Sequence, residues 1–321
     1  MQNSTKISVI IPVYNEEHNI LVLTKSIIVS LEKVPVAFEV IFINDGSVDN
    51  TEKFLLEASE YDRRIKVVNL RRNYGQTAAM CAGIDFASGD VTIPMDGDLQ
   101  NDPDDITLLL SELDHGYDVV SGWRKQRKDA NLRRNLPSRV ANWLISRVSG
   151  VRLHDYGCTL KAYRKDVIKG VRLYGEMHRF IPIYASWQGA RISEVVVQHH
   201  PRIHGNSKYG LERTIKVFLD LLMVKFLDSH FTKPIYVFGG TGIGFMVLSF
   251  LVVAVMITRK LAWGVPMIIT PLPILAAMAF VTGVVNILMG IMAEMLMRMY
   301  FELQGKTIYL VRNTINFEAQ A

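Results

Sequence analysis

Two long segments without charged residues constrain this chain more than any other feature of its sequence. Residues 235–257 and 261–293 contain no Asp, Glu, Lys or Arg. A helix rises about 1.5 Å per residue, so each segment is long enough to cross a hydrocarbon core roughly 30 Å thick. A pair of buried core helices is the alternative, but two such segments in succession exceed what a small globular core would bury. The sequence therefore predicts two transmembrane helices, at about 235–257 and 268–293, within a membrane region at 233–300.

Basic residues flank this predicted hairpin on one side of the membrane. The connection between the two segments holds only Arg259 and Lys260. The flanking basic residues are Lys208, Arg213, Lys216, Lys225 and Lys233 before the hairpin, and Arg298, Lys306 and Arg312 after it. Lys and Arg are enriched on the cytoplasmic side of membrane spans, and Met1–Lys6 leads into a strand pattern without a signal-peptide signature. We therefore expect an integral protein of the cytoplasmic (inner) membrane, with its large domain and both termini in the cytoplasm.

A second concentration of positive charge lies before the hairpin, although the formal net charge of the chain is only +5. Asp129 is the single acidic residue in the stretch from position 124 to position 152. The basic residues of this stretch are Arg124, Lys125, Arg127, Lys128, Arg133, Arg134, Arg139, Arg147 and Arg152. Such a density favours a phosphate ligand, whether a lipid headgroup, a phosphorylated substrate or nucleic acid. For most of these residues taken singly, a solvated helix face is the alternative.

The first half of the chain alternates apolar strand patterns with helical patterns. Strands are predicted at 7–13, 38–44, 65–70, 91–95 and 118–121, and helices at 19–32, 51–61, 77–87 and 103–114. A further helix is predicted at 141–148 and a strand at 192–199. This alternation is typical of an α/β domain with a mostly parallel sheet, here at 1–207. Residues 208–232 predict amphipathic helices at the membrane interface, with a helix packed on the soluble domain as the alternative.

Polar residues follow three of the predicted strands. The segments are Pro12-Val13-Tyr14-Asn15-Glu16-Glu17, Asn44-Asp45-Gly46-Ser47 and Asp96-Gly97-Asp98-Leu99-Gln100. The carboxyl ends of parallel strands meet at one edge of the sheet, where ligands bind in such folds. Asp96 and Asp98 could share a hard divalent cation, with Gly97 letting the backbone bend between them. Taken alone, Asp-Gly-Asp is also ordinary turn chemistry.

In this order, the motifs resemble the family-2 glycosyltransferases of the GT-A fold, a Rossmann-like α/β fold. The resemblance also uses Arg72-Asn73-Tyr74-Gly75-Gln76. A narrower resemblance, to dolichyl-phosphate mannose synthases and bactoprenol glucosyltransferases, rests on Gly122-Trp123-Arg124, on DYGCTLKAYR at 155–164 and on the two predicted spans. The likeness covers nearly the whole chain.

The resemblance implies three groups of ligand-binding residues and one set of catalytic residues. Those for the nucleotide-sugar donor are Pro12, Tyr14, Asn15, Glu16, Asp45, Gly46, Ser47, Asn73, Gly75 and Asp96. Those for Mg²⁺ or Mn²⁺ on the diphosphate are Asp96, Asp98 and Gln100. Those for the phosphate of a polyprenyl phosphate acceptor are Arg124, Arg139, Arg202, Ser207 and Lys208, since arginine grips phosphate through two parallel N–H donors. Asp155, Asp98 and Arg124 are expected to be catalytic.

The implied reaction moves a single hexose, with UDP-glucose expected as donor, onto undecaprenyl or another polyprenyl phosphate with inversion. GDP-mannose and UDP-linked aminopentoses are alternative donors. The acceptor phosphate has a second pKa of about 6, so it is already a nucleophile at neutral pH and needs no strong base. Asp155 is then expected to orient the acceptor or a sugar hydroxyl, with a structural carboxylate paired to a basic residue such as Arg152 as the alternative.

Two other functions compete with this interpretation. A processive polysaccharide synthase resembles it at the catalytic domain but carries a Gln-x-x-Arg-Trp motif and more spans, and this sequence contains no Arg-Trp pair. A catalytically silent nucleotide-binding scaffold in the membrane is disfavoured by the acidic and basic set Asp45, Asp96, Asp98, Arg124 and Asp155. The expected partners are the nucleotide sugar, the polyprenyl phosphate and the bilayer, without nucleic acid. A homo-oligomer is also expected, because a two-helix hairpin has few internal partners and the tail at 301–321 could reach a neighbour.

Several other motifs favour plain structural roles. The glycine-rich segment at 239–244 lies inside an apolar span, which predicts helix packing through Gly240 and Gly244 and not a phosphate loop. Three histidines, at 199, 200 and 204, lack the ligand spacing of a zinc site. Cys81 and Cys158 stand outside any CxxC pattern, which indicates a reducing compartment without a disulfide framework.

Overall fold

The computed structural model of the protein describes residues 5–125, 142, 145–147, 149–169, 177–201, 235–264, 266, 270–302 and 308–317. The chain divides into two compact units. We name them the sheet unit, which is Met1–Val224 with Thr307–Ala321, and the helical unit, which is Lys225–Lys306. The amphipathic helices predicted at 208–232 lie outside the described residues.

The sheet unit is built on an eight-stranded sheet. Its strands are β1 (Lys6–Val13), β2 (Ala37–Asn44), β3 (Ile65–Leu70), β4 (Val91–Pro94), β5 (Val119–Trp123), β6 (Lys161–Arg164), β7 (Ile192–Val196) and β8 (Val311–Ile315). Its helices are α1 (Ile20–Leu31), α2 (Thr51–Tyr61), α3 (Gln76–Phe86), α4 (Ile106–Asp114), α5 (Lys165–Ile168) and α6 (Ile181–Trp187), with 3₁₀ helices at Pro103–Asp105 and Met177–Phe180. The strands and helices predicted for the first half of the chain are confirmed, each within a few residues of its expected bounds.

The strand order of the sheet is β7-β5-β6-β4-β1-β2-β3-β8. Neighbouring strands among β4, β1, β2 and β3 are parallel, and β5 is parallel to β7. By contrast, β6 runs antiparallel to β4 and β5, and β8 runs antiparallel to β3. The predicted α/β class with a mostly parallel sheet is therefore confirmed. The sequence analysis did not predict β6 or β8.

Helices cover both faces of the central strands, which explains their continuous apolar sequences. On one face, Ile7, Val9 and Ile11 pack in a core with residues of α1, α2 and α4. On the other face, α3 lies so close to the sheet that a Cβ on Gly83 would stand 2.9 Å from Ile43 and 3.0 Å from Ile10. The central strands are thereby fixed on both faces, and their carboxyl-end loops start from rigid positions.

The helical unit consists of α7 (Ile235–Trp263) and α8 (Leu272–Glu302). The stretches Val237–Trp263 and Leu272–Ala293 are each long and apolar enough to cross a membrane, with a mean hydropathy of 2.3. The first helix is longer than expected, so Arg259 and Lys260 belong to its last turns and not to the connecting loop. Polar residues at the end of a helix of this length can still lie at the membrane interface.

The two long helices approach each other at a pair of glycines, although not at the expected pair. A Cβ on Gly242 would stand 2.7 Å from the carbonyl oxygen of Gly283, and the reverse distance is also 2.7 Å. By contrast, a Cβ on Gly240 or Gly244 would have no neighbour within 4 Å. The packing expectation for Gly240 and Gly244 was therefore wrong for this hairpin, because two residues along a helix turn the chain by about 200° onto the opposite face.

The C-terminal strand β8 returns the chain to the sheet unit. It pairs with β3 in a register that places Ile315 opposite Val67 and Thr314 opposite Val68. Just before the strand, Tyr309 is buried and its hydroxyl donates to Asp85 of α3 at 2.9 Å. After the strand, the ring of Phe317 packs edge-on against Phe86, with ring centroids 5.2 Å apart. The tail beyond the helical unit is thus part of the sheet and of its packing against α3.

Candidate active site

The loops after β1 and β2 are bonded to each other. The backbone N–H of Asn15 donates to the Ser47 hydroxyl at 3.0 Å, and the N–H of Val48 donates to the Asn15 side-chain oxygen at 2.9 Å. Asn15 has a φ of 54°, in the left-handed region that Asn tolerates better than most residues. The polar side chains expected at the donor site therefore also fix the shape of these two loops.

Asp45 holds the loop that leads into α3. Its two carboxylate oxygens accept the backbone N–H groups of Tyr74 at 2.8 Å and of Gly75 at 2.9 Å. Gly46, with a φ of 68°, allows the close approach, since a Cβ there would stand 2.4 Å from the carbonyl carbon of Arg72. Burial raises the pKa of Asp45, and the two backbone hydrogen bonds oppose that rise. The carboxylate sets the start of α3 beside the strand ends.

The segment after β4 carries the paired carboxylates. Gln76, the first residue of α3, donates from Nε2 to Oδ1 of Asp96 at 3.2 Å. The backbone N–H of Gln100 donates to Oδ1 of Asp98 at 3.2 Å. Leu99, between them, has a φ of 62°, and such strained backbone is common at functional sites. Gly97 packs against β1, where a Cβ would stand 2.8 Å from Val13.

Asp96 lies among charged groups of both signs. Burial raises the pKa of this carboxyl most, and the negative charge of Asp98 raises it further. A hydrogen bond from the Thr159 side chain and the positive charges of Arg124 and Lys161 act in the opposite direction. Two carboxylates that repel each other at a sheet edge are an arrangement that a bound cation relieves.

The residues at this edge fit a hard divalent cation. Asp96 and Asp98 supply carboxylate oxygens and Gln100 an amide oxygen, which are the ligand types that Mg²⁺ and Mn²⁺ prefer. Among the described residues, no group of three or more His, Cys, Asp or Glu side chains is gathered for metal binding. Mg²⁺ commonly binds through one or two carboxylates together with phosphates of a substrate. The donor set thus suits an ion that arrives with a diphosphate.

Arg124, just after β5, is paired with Asp155. Nε of Arg124 donates to Oδ2 at 2.7 Å and Nη2 donates to Oδ1 at 3.0 Å, while the two side chains are 10% and 8% exposed. Burial acts to lower the pKa of Arg124, but the Asp155 carboxylate raises it above its ordinary value. The guanidinium therefore stays charged beside the Asp96 carboxyl. Asp155 has Arg124 as its ion-pair partner, whereas the alternative interpretation of Asp155 as a structural carboxylate had named Arg152 as an example.

Two further basic residues reach the same region from elements that the sequence analysis did not single out. Lys161, on β6, is only 3% exposed and its charge acts on Asp96. Burial lowers the pKa of the Lys161 amine most, and the positive charge of Arg179, in the 3₁₀ helix at Met177–Phe180, adds to that lowering. The neighbouring His178 is buried and its Nδ1 lies 2.8 Å from the Thr77 hydroxyl near the start of α3. Lys161 begins the short strand β6, which has a charged residue at each end and so gives no apolar pattern by which the sequence could place it.

The expected site residues are brought together in part. Asn15 and Ser47, both expected at the donor site, are bonded to each other, and Asp45 holds the loop from which Gln76 reaches Asp96. Arg124 is near Asp96 and pairs with Asp155. Asn73 is exposed on the loop before α3. Four expected acceptor-binding residues, Arg139, Arg202, Ser207 and Lys208, lie outside the described residues. His200 pairs with Asp102 at 2.9 Å.

Comparison with known sequences places this chain among sugar transferases. The profile of the family described as "Glycosyl transferase family 2" matches residues 8–172. The chain is 42% identical to the dodecaprenyl-phosphate galacturonate synthase of Rhizobium johnstonii, over 99% of this chain and 95% of that protein. It is 35% identical to the undecaprenyl-phosphate 4-deoxy-4-formamido-L-arabinose transferase of Pseudomonas paraeruginosa, over 96% of this chain and 90% of that protein.

Comparison with solved structures supports the same fold. Glucosyl-3-phosphoglycerate synthase from Mycobacterium tuberculosis, solved with Mn²⁺ and UDP-glucose, superposes with a TM-score of 0.52 at 19% identity. The match covers 70% of this chain and 79% of that one. At this identity the likeness concerns the fold.

Proposed function

The chain belongs to glycosyltransferase family 2, among its polyprenyl-phosphate sugar transferases, and from this premise we propose that it transfers one sugar from a nucleotide sugar to undecaprenyl phosphate with inversion. The observation that carries the proposal is the charge arrangement at the strand ends. Asp96 lies near the buried Arg124–Asp155 ion pair: burial and the charge of Asp98 raise the pKa of Asp96, and the charge of Arg124 opposes that rise. The cation held by the carboxylates would neutralise the donor diphosphate, and Arg124 would neutralise the acceptor phosphate, within one site.

We propose a hexuronate, of the galacturonate type, as the transferred sugar. The relative at 42% identity is named for galacturonate, and neither of the two relatives is named for glucose. A sugar carboxylate would add negative charge to a site whose described residues include Arg124, Lys161 and Arg179. UDP-glucose, expected from the sequence analysis, becomes the matched comparison because it differs from UDP-glucuronate only at the sugar carboxylate.

Arg124 and Asp155 would act on the acceptor phosphate. The acceptor phosphate is largely a dianion at neutral pH, with a second pKa of about 6, so its oxygen can attack the anomeric carbon directly. Arg124, held by Asp155, would orient that phosphate through the N–H groups that Asp155 leaves available. Placing the attacking oxygen in line with the departing diphosphate is then the main task of the site. One displacement inverts the anomeric centre.

Asp96, Asp98 and Gln100 would hold a divalent cation on the donor diphosphate. When bound, that ion neutralises the charge that develops on the leaving diphosphate. The proposal rests on these oxygen ligands. Mg²⁺ and Mn²⁺ are the two ions to test, because both suit such ligands.

We also propose that the helical unit crosses the cytoplasmic membrane with both ends on the cytoplasmic side. Residues of the sheet unit precede and follow α7 and α8 along the chain. Folding of one unit from both segments requires that they emerge on the same side of the membrane. Labelling of single cysteines introduced at position 266, between the helices, and at position 321 tests this, since only the first should react with an impermeant thiol reagent added outside.

A transfer assay tests the proposed reaction. The purified full-length chain in detergent is incubated with undecaprenyl phosphate, Mn²⁺ or Mg²⁺, and a panel of radiolabelled UDP-galacturonate, UDP-glucuronate, UDP-glucose, UDP-4-deoxy-4-formamido-arabinose and GDP-mannose. We expect label in the lipid extract, fastest with a hexuronate donor. Fastest transfer of glucose would contradict the proposed sugar alone. Binding of UDP with no lipid product from any donor would instead indicate a silent nucleotide-binding scaffold.

A further inference from the structure

One short segment carries contacts to both halves of the proposed site. We name His154–Leu160, between the end of the basic region and β6, the bridging segment. At its start, Asp155 holds Arg124 at 2.7 Å and 3.0 Å. Near its end, the Thr159 side chain donates to Asp96. The position of this segment therefore decides where both the proposed acceptor-binding arginine and one proposed metal ligand lie.

The start of the bridging segment is fixed by Glu194 of β7. Its carboxylate accepts the backbone N–H of His154 at 2.9 Å and the backbone N–H of Asp155 at 3.2 Å. It also lies 2.7 Å from Nδ1 of the same histidine. The Glu194 side chain is only 11% exposed, while the His154 side chain beside it is 68% exposed.

The end of the bridging segment is fixed by Lys161 of β6. Its ammonium group donates to the backbone carbonyl oxygen of Tyr156 at 3.3 Å and to that of Cys158. Lys161 is among the most buried charged residues of the described chain, at 3% exposure. A buried cation that is bonded to backbone carbonyls orders those carbonyls, because leaving it without acceptors would be costly.

Two neighbouring contacts show that the segment is attached at specific points to β5. His154 stacks on Trp123 with ring centroids 4.2 Å apart, directly beside the pairing of the next residues, Arg124 and Asp155. Gly157 is close to the same pair, since a Cβ there would stand 3.2 Å from Arg124 and 3.4 Å from Asp155. Small shifts of the segment would therefore move the arginine.

We propose that Glu194 and Lys161 are positioning residues that clamp the bridging segment from its two ends. Glu194 accepts hydrogen bonds from backbone N–H groups of the segment, and Lys161 donates hydrogen bonds to its backbone carbonyl groups. Asp155 and Thr159, which belong to the segment, then hold Arg124 and Asp96 in fixed positions relative to each other. Neither residue needs to touch a substrate. This inference rests on the proposed function for the roles of Arg124 and Asp96, but the clamp itself is a property of the fold.

Hydrogen–deuterium exchange tests the clamp without any substrate. Glu194→Ala should speed exchange at least tenfold in the peptide that covers residues 153–157. Glu112→Ala is the matched control, because Glu112 also pairs with a histidine, His115 at 3.2 Å, and also bonds a β7 residue, Ser193 at 2.8 Å. Equal exchange of this peptide in the two variants would overturn the proposal.

Transfer kinetics test the consequence for the site. Glu194→Ala should raise the apparent KM for undecaprenyl phosphate at least tenfold and that for the donor less than threefold, because it releases the Asp155 end of the segment. Glu194→Gln should recover most of the loss, since its amide oxygen still accepts a backbone N–H. Lys161→Met should raise both KM values, since it also releases Thr159. A pure loss of kcat that equals the loss in Glu112→Ala would contradict the positioning role.

The two experiments separate the clamp from the proposed function. If the wild-type protein transfers no sugar but Glu194→Ala still speeds exchange in the bridging segment, the proposed function fails and the clamp holds. If the wild-type protein is active and Glu194→Ala changes neither exchange nor the acceptor KM, the clamp fails and the proposed function holds. Where Lys161→Met does not fold, Glu194→Gln and Glu194→Ala suffice for both readouts.

Discussion

Arg124 and Asp155 form a two-point ion pair, with Nε to Oδ2 at 2.7 Å and Nη2 to Oδ1 at 3.0 Å. Such a parallel geometry fixes the plane of the guanidinium as well as its position. This ion pair supports the proposal that Asp155 orients Arg124 and does not act as a general base. Its carboxylate is engaged with an arginine, and the proposed acceptor carries no proton that must be removed at neutral pH.

Replacement of Asp155 by asparagine should therefore reduce transfer without abolishing it. The amide keeps one acceptor for Arg124 but loses the charge, so we expect kcat/KM for the acceptor to fall about 10- to 100-fold, or about 1.4–2.7 kcal/mol. Initial rates at varied undecaprenyl phosphate measure this. Asp118→Asn is the control, since Asp118 also pairs with arginines, Arg164 and Arg191, at the far end of β5. Total loss of activity in Asp155→Asn would contradict this expectation and favour a general-base role for Asp155.

Replacement of Asp98 by alanine should abolish transfer, because it removes one of the two carboxylates that are proposed to hold the cation on the diphosphate. Chelation of divalent ions should do the same to the wild-type protein, and added Mn²⁺ or Mg²⁺ should restore it. Isothermal titration with UDP and Mn²⁺ measures binding directly. Asp102→Asn, four residues on in the same loop and paired with His200, should keep at least a third of the activity. Full activity in the presence of a chelator would contradict metal dependence.

The part of the fold that could be predicted is the part whose strands are buried on both faces. β1, β2 and β3 lie between two helix layers, so they appear in the sequence as continuous apolar runs. β6 and β8 were not predicted because neither has a continuous apolar sequence. β6 is four residues long with charged Lys161 and Arg164 at its ends, and β8 lies at the sheet edge with three exposed residues in its middle.

The site was predictable to a similar degree. Asp45, Asp96 and Asp98 follow apolar strands directly, and the topology of parallel sheets gathers such residues at one edge. Glu194 and His178 could not be found in this way. They are distant in sequence from the motifs, and they reach the site through the pairing of β7 with β5 and the packing of a one-turn helix against α3.

Replacement of Asp96 by asparagine should stabilise the metal-free protein while it abolishes transfer. Burial and the charge of Asp98 raise the pKa of Asp96 in the folded state, so at neutral pH its negative charge opposes folding. Removal of that charge should therefore raise the Tm at pH 7. As the pH falls through the raised pKa, the wild-type carboxyl becomes neutral and the difference in Tm should disappear. Differential scanning fluorimetry in detergent between pH 7 and pH 4 measures both effects, and a lower Tm for Asp96→Asn at pH 7 would contradict them.

Replacement of Asp45 by alanine should weaken donor binding, because Asp45 is expected at the donor site and also holds the loop that starts α3. The variant leaves the backbone N–H groups of Tyr74 and Gly75 without their acceptors, which releases the loop that starts α3. We expect the donor KM to rise at least tenfold and the acceptor KM to change less than threefold, measured by steady-state kinetics. Asp49→Ala, in the same loop but bonded to Glu17 and Thr51, is the control and should leave the donor KM within threefold. An unchanged donor KM in Asp45→Ala would show that this loop does not shape the donor site.

The C-terminal strand should contribute to the stability of the sheet unit through specific bonds and not only through its backbone pairing. The Asn316 amide donates to the carbonyl oxygens of Ser59 and Ile65, each at 2.8 Å, and the residue has a φ of 61° that Asn tolerates better than Ala. Asn316→Ala should thus remove two hydrogen bonds and add backbone strain, at a cost of about 1–3 kcal/mol. Asn313→Ala, at an exposed position of the same strand, should change stability by less than about 0.5 kcal/mol. Thermal unfolding of the two variants in the same detergent measures the difference, and equal Tm values would show that β8 is held by its backbone alone.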